Sequence, residues 1–154
     1  MINEPGIYIG IGMVLSLLAT ETLGVTAGGI IVPGYIALHL DSPLQLIATF
    51  GISIITFIII KLLSNFILIY GKRRLVLTLL FGFLLGYLTR AENNLLADLT
   101  QKDFVVIGNI IPGLIANWMD RQGVLRTICV VLITSSVTKL IIISLIAINI
   151  LNLN

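Results

Sequence analysis

The sequence is short of charge. Of its 154 residues, seven are Asp or Glu and nine are Lys or Arg, together 10%. A soluble domain carries about 25%. So little polar surface cannot cover a globule in water, which excludes an ordinary soluble protein. The net charge of +2 is too small to point to nucleic acid. Cys129 is the only cysteine, so an intrachain disulfide is excluded. Its place inside an apolar run reads as a packed thiol. There is one histidine, and no His, Cys, Asp and Glu cluster at metal-ligand spacing, so no metal is expected. No Gly-x-x-x-x-Gly-Lys-[Ser/Thr] occurs, because Gly71-Lys72 is followed by Arg73; a phosphate-cradling loop of that type is excluded. Ser16, Ser53 and Ser64 have no positioned base. Nothing reads as a self-contained enzyme: no catalytic residue and no cofactor is expected. The opening Met1-Ile2-Asn3-Glu4-Pro5 lacks the basic start of a signal peptide.

What is present is hydrophobic: 58% of the residues, with a mean hydropathy of +1.13. A spanning helix needs about 20 apolar residues, so four full spans and two shorter segments would use nearly all of the chain. The expected fold is all-α, a polytopic integral membrane protein forming one membrane domain over residues 1–154. Segment one is 7–20, closed by Glu21, with Gly6, Gly10 and Gly12 as a small-residue packing seam. Segment two is the stretch 24–41. Segment three, 42–71, has Lys61 as its one charge and is longer than the hydrocarbon core of about 30 Å. Tyr70-Gly71-Lys72-Arg73-Arg74 follows, the densest basic cluster, and the positive-inside rule makes it cytoplasmic. Segment four, 75–89, is short for a span and carries Gly82 and Gly86. Residues 91–103 form a polar loop. Segment five is 104–119, Asp120-Arg121-Gln122-Gly123 reads as a turn, and segment six runs from 124 to about 150 with Lys139 near its middle.

Segments two and five are too rich in Gly and Pro for ordinary spanning helices. Gly28 and Gly29 weaken a helix, and Pro33-Gly34 is expected to break it. A shift of 79 residues superposes Gly29, Ile31, Pro33, Gly34, Ile36, Ala37 and Asp41 on Gly108, Ile110, Pro112, Gly113, Ile115, Ala116 and Asp120. These are seven identities in the thirteen positions 29–41, which points to two internal repeats of helix, broken segment, helix, over 5–71 and 75–150. Paired interrupted segments are the best sequence pointer to a transport or binding site in a membrane protein. Their unpaired backbone groups must face protein or a water-filled cavity; the alternative is a tight corner packed dry inside the bundle. If the broken segments cross, the repeats are inverted; if they are re-entrant, the repeats are parallel. The placement of basic residues favours inversion, with both chain ends outside.

Two charges fall where charge is costly. Lys139 lies opposite Ile60 under the 79-residue shift, one residue from Lys61. An ammonium at mid-bilayer costs at least about 2.5–3.5 kcal/mol. Lys61 reads either as an interface marker or as a path residue, and Lys139 either as the partner of a buried carboxylate such as Glu21 or as a path residue. The candidate path for an anionic chain comprises Glu21, Gly28, Gly29, Pro33, Gly34, Tyr35, Lys61, Pro112, Gly113, Asn117 and Lys139. His39 and Trp118, at matching segment ends, read as interfacial anchors.

The chain resembles a known family at these motifs. Glu21-Thr-Leu-Gly24, Ala27-Gly-Gly-Ile-Ile-Val-Pro-Gly-Tyr35, Lys61, Ile69-Tyr-Gly-Lys-Arg-Arg74, Ile111-Pro-Gly-Leu-Ile-Ala-Asn117 and Gln122-Gly123 are similar to the small membrane subunit of poly-γ-glutamate synthases, the PgsC/CapC family. Lys139 is outside that motif set. The resemblance implies a subunit of a bacterial capsule or poly-γ-glutamate synthase in the cytoplasmic membrane. It implies two protein partners. One is an ATP-dependent amide ligase of the PgsB/CapB type, docked through Lys72, Arg73 and Arg74; the other is a PgsA/CapA-type subunit. It makes poly-γ-glutamate the anionic chain and allows a homo-oligomer. The other reading is a small independent inverted-repeat transporter or channel, and a purely structural scaffold comes third.

Overall fold

The computed structural model describes residues 5–66, 71–95 and 107–152. Among them every regular element is a helix: α1 (Pro5–Leu23), α2 (Val32–Leu38), α3 (Pro43–Phe66), α4 (Lys72–Leu95), α5 (Ile111–Gln122) and α6 (Val124–Asn152). α1, α3 and α6 are long and apolar enough to cross a membrane, one fewer than the four full spans expected. α4 has the length, 24 residues, but is charged at both ends, with Lys72, Arg73 and Arg74 in its first turn and Arg90 and Glu92 near its last. Large apolar side chains face outward along all four long helices, among them Leu17, Ile58, Leu80 and Leu140. An outer surface of that kind suits hydrocarbon and not water. This is an all-helical membrane protein.

The order helix, broken segment, helix occurs in each half. The breaks are placed differently from the expectation. Pro33 and Pro112 do not end a helix; each sits in the first turn of one, α2 and α5. There a missing N–H costs nothing and the fixed φ helps the turn form. The unwound parts are 24–31 and 107–110, upstream of the prolines. Gly28 (φ 69°) and Gly108 (φ 60°) turn the chain there in a conformation that side chains disfavour. α5 also runs on through Asp120 to Gln122, so the corner before α6 is Gly123 alone. α4 begins at Lys72 and continues to Leu95, so the basic cluster is helical and the helix enters what reads as a polar loop. Residues 96–103 of that loop, and the first three residues of the expected segment five, 104–106, lie outside the described residues.

Each broken segment retraces the helix before it. In the first half, Ser16 Oγ donates to the Gly29 carbonyl at 3.3 Å. Further on, Gly34 packs on Gly12, Tyr8 and Ile9. In the second half Asn109 lies beside Gly86, Gly113 beside Gly82, Thr78 and Leu79, and Asp120 pairs with Arg74. The crossings agree in detail. A Cβ added to Gly12 would lie 2.5 Å from the Gly34 Cα and N, and one added to Gly82 would lie 2.5 Å from the Gly113 Cα and N. Two backbones approach this closely only where both residues lack a side chain. Gly6 and Gly10 meet nothing within 4 Å, so the expected α1 seam narrows to Gly12.

The halves are then interleaved. α6 packs on α2, and α3 packs on α5. The core is where they meet: Ala27, Val32 and Ile36 from the first half, with Ile107, Ile111, Ile115, Met119 and Val131 from the second. α3 turns Thr49, Ser53, Thr56 and Ile60 inward, and α6 turns Thr127, Val131, Thr134 and Thr138 inward. Those two sets differ by a constant 78 residues. The hydroxyls are satisfied within their own helices, as when Ser53 donates to the Thr49 carbonyl at 2.7 Å and Thr138 to the Thr134 carbonyl at 2.7 Å. Such side chains are small enough for close helix contact and leave no polar group unpaired.

Candidate functional site

The unwound segments carry backbone groups without helical partners, and side chains from the opposite half supply them. Gln122, at the end of α5, clasps the first break. Its Oε1 accepts from the Thr26 N–H at 3.2 Å and from the Thr26 hydroxyl at 3.3 Å. Its Nε2 donates to the Thr26 carbonyl at 2.6 Å and to Thr127 Oγ1 at 3.1 Å. In the second break the Ile107 N–H donates to Thr49 Oγ1 at 3.0 Å. Thr49 and Thr127 share one register position: Thr49 bonds the second break directly, and Thr127 reaches the first only through Gln122. This arrangement satisfies amides that hydrocarbon would leave bare. Thr26, Thr49 and Thr127 are not among the sequence candidates. Their signal is faint in one sequence, because a threonine in an apolar run reads as helix filler.

The candidate path residues fall into three groups. Pro33, Gly34, Pro112 and Gly113 are buried, and both glycines lie against helix backbone of their own half. Gly28 is packed under Val131 and Ile115, and Gly29 near Leu114 and Trp118. Asn117 is 6% exposed, inside α5. These are dry corners. Tyr35 is different: with Ile31 it faces residues 108–111 and Leu114 across a cavity of about 280 Å³ between the two breaks. Asn109 Oδ1 is a buried oxygen with no hydrogen-bond partner among the described residues, and Asn109 belongs to that lining.

The charged candidates do not gather. Glu21 is exposed in the last turn of α1 and does not pair with Lys139. Lys139 pairs with Asp41 at 2.5 Å, their side chains 21% and 83% exposed. Lys61 is exposed on α3 with its Nζ 5.6 Å from the Phe57 ring centroid. Eighteen residues separate Lys61 from Pro43, where α3 leaves the Asp41 corner, or about 27 Å of helix. The two lysines share a register, yet Lys139 meets the Asp41 corner and Lys61 lies well along α3 from it. Cys129 is exposed on α6, not packed.

One end of the molecule is basic. The Arg74–Asp120 pair joins the start of α4 to the end of α5. This sets Lys72 and Arg73 near Arg121, whose guanidinium lies over Trp118, 5.3 Å from the ring centroid. Lys72 and Arg73 are exposed, while Arg74 is partly covered and occupied by its acid. His39, at the opposite corner, lies with its Nδ1 3.0 Å from the Tyr35 carbonyl. No group of acids, His and Cys able to hold a metal occurs among the described residues.

Residues 11–128 match the family described as Capsule biosynthesis CapC. The chain belongs to the CapC family. It is 36% identical over 140 residues to the Capsule biosynthesis protein CapC of Bacillus anthracis, covering 86% of this chain and 89% of that protein. It is 33% identical over 138 residues to the PGA biosynthesis protein CapC of Bacillus subtilis (strain 168), covering 86% and 90%. No solved structure matches. The CapC match takes in both glycine crossings, Lys61, the basic cluster and the Gln122 clasp.

Proposed function

We propose that this chain is the membrane subunit of a bacterial poly-γ-glutamate synthase, working with an ATP-dependent amide ligase in capsule or polymer synthesis. The observation that carries the proposal is the CapC match over residues 11–128, with relatives named for capsule and PGA biosynthesis along nearly their whole length. The sequence fits a partner role, since it has no nucleotide-cradling loop of its own. The chain lies in the cytoplasmic membrane as an inverted duplication, each half crossing three times. The retraced course of the broken segments and the clustering of Lys72, Arg73, Arg74 and Arg121 at one end support that topology. Lys72 and Arg73 offer charge to the ligase at the cytoplasmic face, and Arg74 mainly fixes α4 to α5. The growing polyanion passes along this subunit, with Tyr35, the breaks and Lys61 as candidate contacts. A PgsA/CapA-type subunit completes the assembly.

Co-purification tests the partnership. The proposal expects a stable complex with the ligase that weakens when Lys72 and Arg73 are both changed to Gln. Full ligase capture by that double variant would remove the docking role. A ligase that never associates with the wild-type chain would favour the second reading, an independent transporter. The helix, broken segment, helix order in both halves is the observation on that side, and solute movement by purified protein in liposomes is its signature.

A further inference from the structure

Lys61 and Lys139 are the same position seen twice. Each follows by one residue the last inward side chain of a shared pattern, Ile60 on α3 and Thr138 on α6. Each helix packs on the other half's broken helix. At Lys139 the structure shows what this position does: the ammonium takes a carboxylate, Asp41, supplied by the corner after α2, at 2.5 Å. The matching acid in the other half is Asp120, and it is already occupied. It pairs with Arg74 of α4. The first half has no such base. The 70-residue shift that sets Gly12 on Gly82 puts Glu4 where α4 has Arg74. Lys61 makes no ion pair among the described residues. Its ammonium lies over the Phe57 ring, a weak partner that leaves N–H donors available. Its helix neighbours Ile58 and Leu62 are exposed and apolar, so no neighbouring side chain on that face competes for the ammonium, whose bonds to an anion are charge-assisted.

We infer that Lys61 is a binding site for a carboxylate from outside the chain. Resting on the function proposed above, that carboxylate is a pendant group of the γ-linked polymer, whose α-carboxylates stay free at every unit. Arg74 acts as a positioning residue: by holding Asp120 it keeps the internal acid off Lys61. Asp41 on Lys139 is the internal counterpart of the polymer on Lys61.

The test uses the full-length protein in proteoliposomes and a soluble γ-linked glutamate oligomer. A water-soluble carbodiimide couples a carboxylate to an amine in direct contact with it, and mass spectrometry maps the amide. The expected products are oligomer on Lys61 and an internal Asp41–Lys139 amide. Lys61→Gln is expected to weaken oligomer binding by about tenfold, while Lys61→Arg holds within about threefold, since one charge-assisted contact is removed in the first case and kept in the second. Arg126→Gln removes a surface charge of the same sign and is expected to change binding by less than about twofold. Oligomer that binds the wild type but couples elsewhere, with Lys61→Gln binding normally, overturns the site and leaves the proposed function standing. Failure of the wild type to bind any oligomer overturns the site and the polymer contact, while ligase co-purification separately decides the synthase role. If Lys61→Gln does not assemble, the coupling map of the wild type and the Lys61→Arg affinity still decide.

Discussion

At the scale of single residues, the account turns on polar groups placed where lipid would leave them bare. Gln122 makes four hydrogen bonds to Thr26 and Thr127, and no apolar side chain can replace them. Gln122→Leu should cost about 1–3 kcal/mol, because the partly buried Thr26 amide and carbonyl lose their partners; thermal unfolding in detergent measures it. Thr49→Val should give a smaller loss, from the single Ile107 N–H. The Asp41–Lys139 pair makes an asymmetric prediction. Asp41 is largely exposed, so the pair itself contributes on the order of 0–1 kcal/mol. Lys139→Met removes a costly cation and should be neutral or stabilising, whereas Asp41→Asn leaves that cation unpaired and should destabilise. Equal losses from the two variants would argue against a membrane setting for Lys139. The sequence marks Lys139 as needing a partner and suggests Glu21. The true partner, Asp41, lies at the corner after α2, 98 residues away in the chain. Only the packing of α6 on α2 brings them together, and a single sequence does not display that packing.

At the scale of elements, the two glycine crossings fix how each broken segment lies on its helix. Gly12→Ala and Gly82→Ala each place a methyl 2.5 Å from backbone atoms, and backbone cannot yield as a flexible side chain can. Each should cost about 1–3 kcal/mol by overpacking, or more if the helices must separate. Gly10→Ala, which meets nothing within 4 Å, should be tolerated or slightly favourable in a helix. Chemical denaturation of the three variants, measured together, checks the contrast. Much of this level is legible in the sequence. The Gly and Pro punctuation locates both broken segments and their 79-residue repeat, and the GxxxG spacing on segment four picks out Gly82. The sense of the prolines is not legible. A Pro inside an apolar run looks like a terminator, but the unwinding is upstream, where Gly28 and Gly108 take positive φ, so each Pro opens a helix. One shift also does not describe the whole repeat. Thr49 follows Asp41 by eight residues, and Thr127 follows Asp120 by seven. The offset therefore changes from 79 to 78 at that corner, which brings Lys61 onto Lys139.

At the scale of the whole molecule, each half's broken helix packs on the other half's long helix, and the proposed topology makes the two halves antiparallel. That topology makes a prediction about sidedness. After Cys129 is replaced by Ala, single cysteines at Lys72 and Arg121 should react with an impermeant thiol reagent from the cytoplasmic side, and one at Asp41 from the outside. Labelling of Lys72 and Arg121 from opposite sides would require re-entrant breaks and parallel repeats. All-helical membrane character is plain from composition alone, because apolar residues outnumber what any water-facing globule could hide. The family is legible from motif combinations, and the CapC match over residues 11–128 bears it out. Unpaired backbone in the breaks leads one to expect a polar channel through them, yet the breaks are mostly packed dry and the polymer contacts are proposed along Tyr35 and Lys61. Side chains from the opposite half satisfy that backbone, and such long-range partners leave no local mark in a sequence. The central claim is that this chain is a required part of a poly-γ-glutamate synthase. The most direct measurement is reconstitution of the purified ligase with and without this protein in sealed vesicles, supplied with ATP and glutamate, followed by assay of γ-linked polymer. The account predicts polymer when both are present and little or none from the ligase alone; equal synthesis by the ligase alone would contradict it.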